Sequence, residues 1–140
     1  MTQEDKDLLL KDLCARLPYG VKVQSYNDRY DIETIETLQE IDSGGYISTF
    51  ECETLKYIAK PYLFPLSSMT KEQKKELENL GWNFDNFEIH NVKECLGTYR
   101  EFVTHSDCFI LIDWCYKNHI DINNLIPKKI AIDATNLNIY

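Results

Sequence analysis

Residues 13–26, Leu13-Cys14-Ala15-Arg16-Leu17-Pro18-Tyr19-Gly20-Val21-Lys22-Val23-Gln24-Ser25-Tyr26, contain the change of period that decides the fold. Upstream, Leu9, Leu10, Leu13, Cys14 and Leu17 recur at spacings of three and four, which is one face of a helix. Downstream, Val21 and Val23 alternate with Lys22 and Gln24, which is the period of a half-buried strand. Pro18 and Gly20 stand between the two patterns and stop the helix. Its start is marked by Thr2, with Asp5 three residues on as a capping-box partner. Acids crowd the first turn and Arg16 lies in the last, as the helix dipole favours.

The strand pattern continues to residue 52. Tyr26-Asn27-Asp28-Arg29 reads as a turn, and Asp42-Ser43-Gly44-Gly45 as a clearer one. Between them, Asp31–Ile41 is rich in β-branched residues. Ile32, Ile35, Leu38 and Ile41 are spaced by three, so a strand here needs a bulge. Tyr46–Cys52 makes the third strand of an antiparallel meander, and Leu55, Tyr57 and Ile58 suggest a fourth.

Pro61 and Pro65 predict a stiff crossing loop over Lys60–Ser68. Thr70 and Gln73 form a second capping box, opening a polar helix over Lys71–Asn79 that Gly81 stops. Phe84, Phe87 and Ile89, then Tyr99, Phe102 and Val103, suggest two short strands around Gly97. A helix over Asp107–Asn118 follows, started by Thr104 or Ser106. It is apolar on most sides, which predicts central burial. A turn through Asp121-Ile122-Asn123-Asn124 leads to Pro127 and a last strand, Lys129–Asp133. The expected fold is α+β in a single domain, 1–140. A small, curved, mainly antiparallel sheet packs against the N-terminal helix and a central helix of the C-terminal half. Leu9, Leu13, Leu111, Ile112 and Trp114 are expected to cover the sheet.

The 140 residues are 44% apolar and 27% charged, ordinary values for one globular unit. The longest apolar run, Cys108–Ile112, falls far short of the ~20 residues of a membrane span. The acidic start, Met1–Asp7, lacks the basic and apolar blocks of a signal peptide, so a cytoplasmic location without membrane contact is expected. The net charge of −8 is concentrated in residues 28–53, where eight acids face one base, Arg29. Such a surface repels phosphates, so direct nucleic-acid binding is not expected, while a basic protein would be attracted.

Five cysteines, Cys14, Cys52, Cys95, Cys108 and Cys115, form no C-x-x-C pair and read as reduced, buried thiols. His105-x2-Cys108 and Cys115-x3-His119 have the look of ligand spacing. On one helix, though, Cys108 and Cys115 are about 10 Å apart, too far for one zinc ion or a disulfide. A zinc site at Cys115 and His119 would need two further ligands, for which Cys14 and Cys52 are the candidates. Ser67-Ser68 has no nucleophile elbow, Gly44-Gly45 opens no phosphate loop, and Lys71, Lys74 and Lys75 are interleaved with acids. His119 reads as a helix-end cap partner or a satisfied core histidine. No residue is assigned a catalytic or metal role, and no cofactor is expected.

Three blocks carry a resemblance. They are Leu8–Val21, Lys60–Thr70 (Lys60-Pro61-Tyr62-Leu63-Phe64-Pro65-Leu66-Ser67-Ser68-Met69-Thr70), and Asp113–His119 with Asn124–Pro127. Together they cover roughly a third of the chain. The chain resembles a family of small uncharacterised proteins from gut Bacteroidales genomes and their phages or other mobile elements. Relatives commonly carry Gly soon after the last Pro; here Lys128 and Lys129 follow Pro127. The resemblance implies a source and no activity.

The expected function is non-enzymatic: an interaction or regulatory protein binding a partner of basic character through Asp31, Glu33, Glu36, Glu40 and Asp42. The alternative is a small thiol- or zinc-dependent enzyme around Cys108, Cys115 and His119. An accessory subunit that self-associates through aromatics is a third reading, and the oligomeric state is left open.

Overall fold

A computed structural model describes residues 1–27, 32–41, 46–49, 53–55, 59–85, 88–91 and 105–140. The architecture is α+β. Helix α1 spans Gln3–Arg16 and opens on the expected capping box: Thr2 accepts from the Asp5 N–H, and Asp5 accepts from the Thr2 N–H. A 3-10 turn, Leu17–Tyr19, ends at Gly20, whose φ of 65° is left-handed. A glycine takes that conformation without a Cβ penalty.

Strands β1 (Lys22–Asn27), β2 (Ile32–Ile41), β3 (Tyr46–Thr49) and β4 (Glu53–Leu55) are successive antiparallel neighbours. The six-stranded sheet has the order β4-β3-β2-β1-β5-β8, with β5 at Lys60–Leu63 and β8 at Ile132–Asp133. Only β5 and β8 run parallel. The meander is therefore present. The Lys60–Ser68 loop is corrected: its first four residues are strand β5, in the sheet interior. Pro61 is tolerated there because β8 pairs from Tyr62 onward, so Pro61 lies opposite a strand on one side only, at Val23. The last strand is shorter than Lys129–Asp133, since Lys129 and Ile130 belong to a turn. Lys129 takes a left-handed φ of 62°.

Helix α2 (Lys71–Asn79) repeats the capping box with Thr70 and Gln73. Strands β6 (Trp82–Asp85) and β7 (Glu88–Asn91) form a separate hairpin. The first of the two strands expected in 82–103 is thus itself a hairpin, and the region around Gly97 lies outside the described residues. Helix α3 covers His105–Lys117.

The apolar residues form two clusters. The first joins Leu9 and Leu13 of α1 to Val21, Val23, Leu38 and Leu63 of the sheet, with Leu125 and Ile130 beneath them. Burying each such side chain contributes about 1.5–3 kcal/mol. The second gathers Met69, Leu77, Trp82, Trp114, Cys115 and Ile120, with Leu111 packed alongside. Two expectations fail here. Leu111 and Trp114 cover α2 and the hairpin rather than the sheet. Nor is α3 central: Cys108, Phe109, Ile110 and Ile112 are exposed, Phe109 by 72%. Only the Leu111–Cys115 side of the helix reaches a core.

Candidate functional site

Strand β2 divides its acids between two faces. The pairs Val23–Glu36, Ser25–Thr34 and Gln24–Ile35 fix the register, and directly opposed residues share a face. Glu36 therefore lies on the side of buried Val23 and Ser25, where Thr34 and Ser25 donate to its carboxylate. Glu33 lies on the solvent side and accepts from Gln24 Nε2 at 2.8 Å. Its neighbour Ile35 is 54% exposed. A bulge between Leu38 and Glu40 resets the alternation. Ile41 then packs on the first cluster and Glu40 is exposed. Glu33 and Glu40 are brought to solvent together, Glu36 is turned away from them, and Asp31 and Asp42 lie outside the described residues. Lys22 Nζ is engaged by Thr37 Oγ1 at 2.6 Å.

A second site was not visible as such in the sequence. Asp12 and Arg16 are both fully buried on the core face of α1. Arg16 donates to Asp12 through Nε at 2.7 Å and Nη2 at 3.1 Å, and its Nη2 also donates to the Ile120 carbonyl at 2.7 Å. The guanidinium lies over the Tyr116 ring, 4.9 Å from its centroid. Asn123 Nδ2 donates to Asp12 at 2.8 Å. Among the described residues, the buried Arg16 Nη1 has no hydrogen-bond partner.

The carbonyl that Arg16 holds belongs to the end of α3. There the Ile120 N–H donates to Cys115 O at 2.9 Å and the His119 N–H to Tyr116 O at 3.1 Å. This pair of bonds is a Schellman motif, in which the left-handed position is usually glycine. Here it is His119, with φ of 56°. The same turn runs beside the end of β5: Phe64 N–H donates to His119 O, and Asp121 N–H to Phe64 O. Asp121 then caps the next turn by accepting from Leu125 and Ile126 N–H.

His119 is buried, and its ring stacks on Tyr140 at 4.1 Å between centroids and 17° between planes. Phe64 meets the same Tyr140 ring at 5.7 Å and 51°. The Tyr140 hydroxyl accepts from the Lys22 N–H at 2.9 Å and donates to the Tyr62 carbonyl at 2.7 Å. Burial, and secondarily the Arg16 charge, hold the His119 imidazole down at about 4. Burial pushes the Tyr140 phenol up to about 12, against smaller opposing pulls from the Lys22 N–H and Arg16. Both groups are neutral at pH 7. His119 caps the end of α3 through its backbone, while its side-chain Nδ1 is buried with no hydrogen-bond partner among the described residues.

Among the described residues, the thiols form no disulfide and no metal-holding group. Cys14 and Cys108 are exposed, contrary to the expectation of burial, and Cys115 is buried. Burial pushes the Cys115 thiol up to about 12, against a smaller pull from Arg16, so it is no nucleophile at pH 7. Cys52 and Cys95 lie outside the described residues, as does the His105 side chain. Among the described residues, no three His, Cys, Asp or Glu side chains gather to hold a metal ion. No described helix is long and apolar enough to cross a membrane. No family model, curated protein or solved structure matches the chain.

Proposed function

We propose that the chain is a non-enzymatic, mobile-element-encoded binding protein that takes a basic protein partner on the solvent side of β2. The observation that supports this reading is the exposure of Ile35 between two exposed acids of β2, Glu33 and Glu40. An apolar contact flanked by carboxylates suits a partner segment with a hydrophobic residue set among lysines or arginines. The nearest base on β1, Lys22, is drawn to Thr37 and does not neutralise the pair. Electrostatic complementarity of this kind speeds encounter and weakens with salt.

The test is capture from a nuclease-treated bacterial lysate, with wild type beside the Glu33→Lys/Glu40→Lys double variant. Glu36 is left intact because its carboxylate serves the inner face. A basic protein held by wild type, released by salt and held about tenfold or more weakly by the variant is the expected result. Equal capture by both proteins, or capture indifferent to salt, would sink the reading. Unchanged thermal melting of the variant shows that charge, not folding, is responsible.

A further inference from the structure

The Tyr140 side chain sits in a slot with four defined walls. One ring face lies against His119, another side against Phe64. At the closed end, the hydroxyl stands between one donor, the Lys22 N–H, and one acceptor, the Tyr62 carbonyl. Strands β1 and β5 pair directly at Val23–Pro61 and Gln24–Lys60. At the next rung, Lys22 and Tyr62, the phenol oxygen spans the strands instead. A hydroxyl that both accepts and donates fits this opening, and a plain phenyl ring would leave both backbone groups unsatisfied.

Three features separate this slot from ordinary packing. First, the tail is weakly tied. Among the described residues, the main chain of 135–140 bonds only within residues 133–139, and beyond that stretch the tail is tied to the sheet by the two hydrogen bonds of the Tyr140 phenol. Second, Tyr140 is 44% exposed, so the slot opens to solvent and the ring can leave without opening either apolar cluster. Third, the wall residue His119 is held left-handed where glycine is free of strain, and among the described residues its buried Nδ1 has no hydrogen-bond partner. Strain kept at one residue, beside a buried polar atom left unpaired, marks a site rather than a filler.

We propose that this slot is a binding site for a phenol ring, with Tyr140 as its built-in, displaceable occupant. The ligand class is a p-hydroxyphenyl group, supplied either by a free small phenol or by a tyrosine side chain. Its hydroxyl replaces that of Tyr140 between Lys22 and Tyr62, and its ring replaces the stack on His119. This inference does not rest on the acidic residues of β2.

The experiment uses p-cresol, with toluene as the control lacking the hydroxyl, on the Tyr140→Ala chain and on wild type. Binding is read from the Lys22 amide and His119 ring signals by NMR, and from the thermal midpoint. Tyr140→Ala is expected to bind p-cresol saturably and to regain thermal stability. Toluene should bind about tenfold more weakly, the difference two hydrogen bonds make. Wild type should bind p-cresol at least about tenfold more weakly than the variant, because its own ring competes. Equal affinity for toluene, equal affinity of wild type, or no saturable binding would overturn the proposal. Should Tyr140→Ala fail to fold, Tyr140→Phe keeps the ring and drops the hydroxyl. In that variant p-cresol must shift Lys22 and His119 at lower concentration than in wild type, and no such shift overturns the proposal. N-acetyltyrosine amide, run in parallel, separates the sources: binding by it as well admits a tyrosine side chain, and binding by p-cresol alone restricts the slot to free phenols.

Discussion

Asp12 and Arg16 stand where α1 meets both the sheet and the end of α3, and neither touches water. A buried ion pair of this kind adds little net stability over apolar packing, but breaking it leaves a charge stranded. Asp12→Ala should therefore cost about 3–5 kcal/mol in urea unfolding, while the double change Asp12→Leu/Arg16→Met should cost markedly less. A double variant as unstable as the single one would show that the pair itself stabilises. The pair was legible in outline, because positions 9, 12, 13 and 16 form one helix face and two of them are charged. Reading Arg16 only against the helix dipole missed that it shares the stripe of Leu9 and Leu13. His119 gives a second prediction at this scale. Its folded value of about 4 lies below the ordinary 6.5, so the unfolded chain takes the proton first. The stabilisation is complete above pH 6.5 and is lost as pH falls towards 4, amounting to about 3 kcal/mol over that window. His119→Asn, which tolerates the left-handed backbone, should flatten that slope. An unchanged slope would place the titration elsewhere. Nothing in the sequence marked this histidine's backbone, since the Schellman turn depends on Ile120 docking beside β5.

Among the elements, β2 shows how one residue decides which side chains meet solvent. The spacing of Ile32, Ile35, Leu38 and Ile41 fitted neither a helix nor a regular strand, and the bulge it implied lies between Leu38 and Glu40. Deleting Gln39 removes the extra residue: Glu40 then follows Leu38 directly, so in strict alternation Glu40 still faces solvent and Ile41 still faces the core. The deletion should therefore stay within about 1 kcal/mol of wild type, because no apolar side chain leaves the core. Gln39→Thr keeps the bulge and should fall within about 0.5 kcal/mol of wild type, as surface changes do. A loss of about 3 kcal/mol or more in the deletion, as if Ile41 had turned outward, would show that the alternation is not set by this residue. Helices α1 and α2 were readable because their capping boxes are local, three residues from cap to partner. The placement of α3 was not readable. An apolar composition predicts burial but cannot say which neighbours arrive, and only its Leu111–Cys115 side met them. Strand β5 was missed for the opposite reason: Pro61 argued locally for a loop, and the late start of β8 removed the penalty.

At the scale of the whole molecule, two apolar clusters are joined by few but buried connections. Arg16 of α1 holds the Ile120 carbonyl, and Ile120 itself belongs to the second cluster. Phe64 continues β5, whose Leu63 lies in the first cluster, and packs on the second. Within the first cluster's own elements, Asp5 near the start of α1 meets Lys128 at 2.9 Å at the surface, tying the first helix to the turn before β8. These links span most of the sequence, so neither cluster is completed by a contiguous piece of chain. The first needs α1, the meander and residues 125–131; the second needs residues 69–82 and 114–120. Unfolding should accordingly be one cooperative transition. Both tryptophans, Trp82 and Trp114, lie in the second cluster, so their fluorescence reports it alone. Amide signals of Val21 and Val23 report the first. In urea the two probes should give one midpoint for wild type, as two-state unfolding requires. Arg16→Ala removes the link to Ile120 and strands Asp12, and should lower both midpoints or separate them with the Val21 and Val23 signals failing first. Separate midpoints in wild type would mean that the clusters fold independently, and that the buried pair is a local feature of α1 rather than the joint between them.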